Sequence, residues 1–120
     1  MKMVSKMTST VIAKMKTCEK EAKVTVKMRD DGDLDVIIES DCDIVQAYGE
    51  RLKTISQMDV YNFQESKINT DDIRVNLTPT CIVPNAIYNA AFLEMGLLTK
   101  TLAKKSKENS IEFVIPDTTN

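Results

Sequence analysis

The stretch EAKVTVKMRDDGDLDVIIE, residues 21–39, restricts this chain more than any other part of it. Ala22, Val24, Val26 and Met28 alternate with Lys23, Thr25, Lys27 and Arg29. A period of two with one polar face describes a half-buried antiparallel strand. An Asp-Asp-Gly-Asp turn follows, in which Gly32 can supply a positive φ, and Leu34, Val36 and Ile38 then resume the inward face. Two such runs around a tight turn make a hairpin. The looser TSTVIAKMKT before them puts Val11, Ala13 and Met15 on one side and extends the hairpin to three strands.

At Ser40 the period changes. Ile44, Ala47, Tyr48, Leu52 and Ile55 recur at helical spacing, and Ser40, Asp41 or Asp43 can accept the free amide hydrogens at the helix start. Residues 58–76 show no firm period, although Asp71 or Asp72 suits the cap of a short helical turn. A second helix is expected from about Pro84, with Ile87, Ala90, Ala91, Met95 and Leu98 on its apolar face. KKSKEN breaks that pattern, and SIEFVIP alternates again through Ile111, Phe113 and Ile115, which predicts a last strand at an edge beside Pro116. Strands, then helices, then a returning strand give an α+β class. The expected architecture is a mostly antiparallel sheet of three to four strands with helices on one face, in a single domain spanning 1–120.

Charge and residue usage remove several function classes. A net charge of −2 and a pI near 5.2 argue against nucleic acid as a partner, which would call for a basic face. Lys100, Lys104, Lys105 and Lys107 cluster among Ser106, Glu108 and Asn109 and read as a solvated linker. The N-terminal MKMVSKMTST lacks the apolar run of a signal peptide, and AIYNAAFLEMGLL is too short to cross a bilayer and contains Glu94. A soluble, cytoplasmic protein with no membrane partner is therefore expected, with its three cysteines reduced. Histidine is absent altogether, which excludes Ser-His-Asp and Cys-His catalysis and imidazole-ligated zinc. Chemistry must come from thiols, carboxylates, lysines and backbone, and the expectation is a protein that is not an enzyme.

Each cysteine lies at a joint. Cys18 falls between the first two strands, Cys42 where the third strand passes into a helix, and Cys81 just ahead of the next helix. A space-filling cysteine sits more naturally at an inward position of a strand or helix. Helix N-termini lower a neighbouring thiol pKa, which favours the thiolate form for Cys42 and Cys81. No C-x-x-C pair is present, so three thiolates meet only if the fold gathers separate loops. The methionines read as core packing at Met15, Met28 and Met95 and as a loose terminus at Met1, Met3 and Met7. Asp30, Asp31, Asp33 and Asp35 read as a solvated turn.

TCEKEAKVTVKMRDDGDLDVIIESDC, INTDDI and TPTCIVPNAIYNAAF follow each other in an order that resembles the iron–sulfur cluster scaffold of the IscU and NifU N-terminal type. ESDC, CIVPNAI and the Gly-Leu-Leu after the helix resemble more closely a family of short, uncharacterised archaeal proteins, mostly from methanogens. The likeness runs from Cys18 to Leu98. It implies an IscU/SufE/NifU-like fold and a [2Fe–2S] cluster or a zinc ion held by Cys18, Cys42 and Cys81. It also implies sulfur donation by a cysteine desulfurase and delivery to client proteins. Glu19 and Lys20 stand where the scaffold carries glycine and aspartate, and Thr80 stands where it carries histidine. A fourth ligand would then be Glu19, Glu21, Asp41 or an outside thiol, with Asp41 favoured. Two other functions stay open: a thiol redox or persulfide carrier without metal, and an interaction module that has lost the site.

Overall fold

A computed structural model describes residues 8–116, so Met1, Met3 and Met7 lie outside the described residues. Four strands form one antiparallel sheet in chain order: β1 (Ser9–Met15), β2 (Lys20–Met28), β3 (Leu34–Ser40) and a two-residue β4 (Thr54–Ile55). The fold is α+β, as the strand and helix periods predict. Val24 stands opposite Val11 on one side and Ile38 on the other, so the inward sets of three strands fall in one layer. Ala13, Met15, Ala22, Val24, Val26, Leu34, Val36 and Ile38 are all buried. The opposite face keeps Thr10, Lys14, Lys23 and Lys27, with Ile12 and Ile37 about half exposed, and helices cover only one side of the sheet. The β2–β3 turn closes through hydrogen bonds between Arg29 and both Gly32 and Asp33, with Gly32 at φ 94°. Arg29 pairs there with Asp31 at 3.2 Å and Asp35 at 3.7 Å, so the aspartates sit in a solvated turn.

Helix α1 (Asp43–Leu52) packs on β3, and α3 (Val83–Glu94) on β1 and β2. The face α1 buries is Val45, Tyr48, Gly49 and Leu52. Ile44, expected on that face, is exposed, and Ile55 belongs to β4, where it pairs with Leu34. Tyr48 and Leu52 face inward as expected, Val45 takes the place expected of Ile44, and Gly49, which no hydropathy pattern marks, lies directly against Ile38. A Cβ on Gly49 would lie 2.8 Å from Ile38 Cβ. Tyr48 is fully buried and donates its hydroxyl to the Ile68 carbonyl at 2.8 Å. That bond satisfies both groups inside the core.

The segment without a clear period folds as α2 (Gln57–Tyr61) and two 3₁₀ turns, Phe63–Glu65 and Lys67–Asn69. Ser56 and Asp59 close α2 with a reciprocal capping box. Ser66 caps the second 3₁₀ turn through the amide of Ile68, a buried residue. Pro84 lies in the first turn of α3, whose Val83, Ala86, Ile87, Ala90 and Ala91 are buried.

The chain beyond α3 corrects two expectations. Residues 100–106, read as linker, form α4 (Lys100–Ser106), capped by Thr99 and with no buried residue. Residues 110–116 are not a strand: Ile111, Phe113, Val114 and Ile115 are 72–85% exposed. Among the described residues, no helix is long and apolar enough to cross a membrane.

Candidate functional site

The three cysteines arrive at one place by three routes. Cys18 lies in the turn of residues 16–19 that joins β1 to β2. Its thiol points back along the hairpin toward the Met15 carbonyl, 3.6 Å away. Cys42 is the N-cap residue of α1 and carries extended backbone angles. Its carbonyl accepts the first helical hydrogen bond from Gln46, and its N–H donates to Ser40 Oγ at 3.1 Å. Ser40 in turn donates to the Glu21 carbonyl at 2.6 Å, and its N–H donates to the Gln46 side chain. These bonds tie the ends of β2 and β3 to the start of α1. The Ser40 side chain therefore serves Cys42 rather than the helix amides expected from the sequence. Cys81 follows a run of turns, donates its N–H to the Thr78 carbonyl and stands one residue ahead of the α3 N-cap.

A pocket of about 90 Å³ is lined by Cys18, Cys42 and Cys81 together. Ile44, Val45 and Leu77 supply apolar wall, and threonines at 17, 78 and 80 supply hydroxyls. Ile44, displaced from the core side of α1, finds its place here. Cys18 is exposed, and the other two thiols are partly buried. A wider depression of about 500 Å³ adjoins at Leu77, lined by Asn69, Asp71, Arg74 and Pro79, and holds no thiol.

Met15, read from the sequence as packing, also lines the pocket, and its Sδ is 3.8 Å from Cys81 Sγ. Its position three residues before Cys18 on the inward face of a strand places it near that thiol but gives no sign of Cys81. Asp41, Glu19 and Glu21 are exposed and are not among the lining residues, of which Lys20 is the one ionic side chain. Asp41 occupies a bend beside Cys42.

Burial pushes the Cys81 thiol above its ordinary range, and the nearby Cys42 and Cys18 push the same way. The Val83 N–H and the Arg74 charge pull it down without prevailing. The helix start therefore does not make Cys81 an activated thiolate, contrary to the sequence expectation, because desolvation outweighs one amide hydrogen bond. Among the described residues, no group of three or more cysteine, aspartate or glutamate side chains is already set as a metal ligand sphere. The thiols share a wall and do not yet share a centre.

No curated protein and no solved structure matches the chain significantly. A family model does match, over residues 9–106, which run from β1 through α4 and include all three cysteines and Met15 while leaving 107–120 outside. This chain belongs to the family described as "Family of unknown function (DUF6951)".

Proposed function

We propose that this protein binds a thiophilic metal ion or a [2Fe–2S] cluster through Cys18, Cys42 and Cys81, and carries it rather than catalysing a reaction with it. The observation that carries this reading is the common pocket lined by three cysteines that are 24 and 39 residues apart along the chain (42 − 18 and 81 − 42). Three thiolates in one apolar-walled pocket repel one another and lose hydration, and a bound cation relieves both costs. The elevated Cys81 thiol fits a ligand that releases its proton to a metal better than a nucleophile that must be ionised beforehand. Cys18, on an exposed turn, is the ligand with room to move inward. By the scaffold resemblance, a desulfurase would supply sulfur and a client protein would receive the cluster.

Anaerobic reconstitution with ferrous iron and sulfide tests this, read by visible absorption and by metal content per chain. Wild type is expected to develop thiolate-to-iron bands and to retain metal after desalting. The Cys18→Ala, Cys42→Ala, Cys81→Ala triple variant is expected to do neither. Equal iron in both proteins rejects the cluster, and equal zinc and copper as well rejects the site. Persulfide detected by mass spectrometry after desulfurase treatment, with no metal retained, transfers support to the persulfide carrier.

A further inference from the structure

We propose that the thioether of Met15 is a fourth sulfur ligand of this pocket, and that the completed set selects the soft monovalent ion Cu(I). The proposal rests on the thiolate-binding reading above and narrows it to one ion class and one further residue.

Met15 ends β1 facing inward and is 8% exposed, the most buried methionine among the described residues. A buried methionine is ordinarily a gap filler surrounded by hydrocarbon. This one belongs to the core cluster and in addition accepts a weak hydrogen bond from the Cys81 thiol within the pocket lining, with 3.8 Å between Met15 Sδ and Cys81 Sγ. Two sulfurs bound to one tetrahedral ion at about 2.3 Å each lie about 3.8 Å apart. The pair therefore already has the edge length of a shared coordination sphere, although the full sphere is not assembled. Met15 is also tied to a second ligand, since its carbonyl faces the Cys18 thiol and its register partner Lys20 closes the same turn. Drawing the Cys18 turn inward moves that thiol toward the Met15–Cys81 pair.

The donor set decides the ion. Among the described residues the lining offers thiols, a thioether and the Lys20 amine but no carboxylate, and no imidazole is available because the chain has no histidine. Thioether sulfur is neutral and polarizable and adds little for Zn(II), whereas Cu(I) favours soft sulfur donors and tolerates low coordination. A neutral fourth ligand also spares the pocket a fourth negative charge.

The test compares wild type with Met15→Leu, a nearly volume-conserving change. Cu(I) affinity is read in competition with bathocuproine disulfonate, and Zn(II) affinity in competition with a chromophoric zinc chelator. The variant is expected to lose at least about tenfold in Cu(I) affinity, the range commanded even by outer-shell partners. Its Zn(II) affinity should change less than about threefold on the same physical ground. Unchanged Cu(I) affinity, or equal losses for both metals, overturns the role of Met15. If the cysteine triple variant still loses Cu(I) in those cases, the thiolate reading survives without it. Wild type that binds Cu(I), Zn(II) and cluster not at all overturns both. A second measurement needs no variant: in wild type labelled with ¹³C at the methionine methyls, the Met15 resonance should shift and saturate at one equivalent of Cu(I). A static Met15 signal overturns the proposal even if Met15→Leu fails to fold.

Discussion

Strand β2 and residues 110–116 carry the same kind of pattern and end in opposite situations. In β2, Ala22, Val24 and Val26 alternate with polar residues and are at most 1% exposed. In the C-terminal segment, Ile111, Phe113 and Ile115 alternate as well, yet each is at least 72% exposed and no strand forms. The difference is the neighbour. β2 lies between β1 and β3, which satisfy its backbone groups on both sides, and α3 covers its inward face. The later segment follows α4, which has no buried residue, and among the described residues it pairs with no strand of the sheet. Alternation says which side of a strand would be apolar; pairing and coverage decide whether there is a strand at all.

The strongest way to break the comparison is a charge in each region. Val24→Asp should cost more than about 4 kcal/mol, enough to abolish cooperative unfolding in a marginally stable domain. Phe113→Asp should stay within about 0.5 kcal/mol of wild type. Denaturant unfolding followed by circular dichroism reads both, and similar losses would mean that residues 110–116 are packed in solution. A smaller effect probes what covers the strands. Gly49→Ala should destabilise by about 1–2 kcal/mol, since crowding against Ile38 exceeds the gain of about 1 kcal/mol in helix propensity. A stabilised variant would show that α1 sits farther from β3.

Burial also leaves a pH signature on the covered side. The Cys81 pKa is raised on folding, so its contribution to stability is complete below the ordinary thiol value of 9.0 and is lost as pH rises through the elevated one. Metal-free protein should therefore weaken from about pH 9 upward. Cys81→Ala should flatten that slope, and an unchanged slope would assign it elsewhere. Tyr48, also raised by burial, acts with the same sign at still higher pH. The smallest effect is expected from removing residues 107–120, which should move Tm by no more than about 4 °C.

Much of the fold was legible because strands announce their faces locally. Val24 and Ile38 could be placed inward from their neighbours alone, and the Asp-Gly turn fixed which runs would pair. The first helix was legible in kind and in Tyr48 and Leu52 of its face, but not in Val45 or in Gly49, which contributes its closeness through the absence of a side chain. β4 is two residues long, too short for any period to register. The three cysteines were readable as lying at element ends. That Met15 joins them was not, because it depends on how β1 and the loop before α3 meet across 66 residues of chain. The sequence points to carboxylates near the cysteines, whereas the sulfur in contact with Cys81 comes from the adjoining strand.

The close approach of Gly49 to Ile38 has a mechanical corollary. Cys42 lies seven residues earlier on the same rigid rod, about 10 Å along its axis. Pivoting the rod by about 10° at that fulcrum would sweep the thiol through about 2 Å, nearly the length of one metal–sulfur bond. A missing methyl in the middle of a helix thus sets how near the rod lies to the sheet, and with it, on the proposed metal-binding reading, where the Cys42 sulfur would stand.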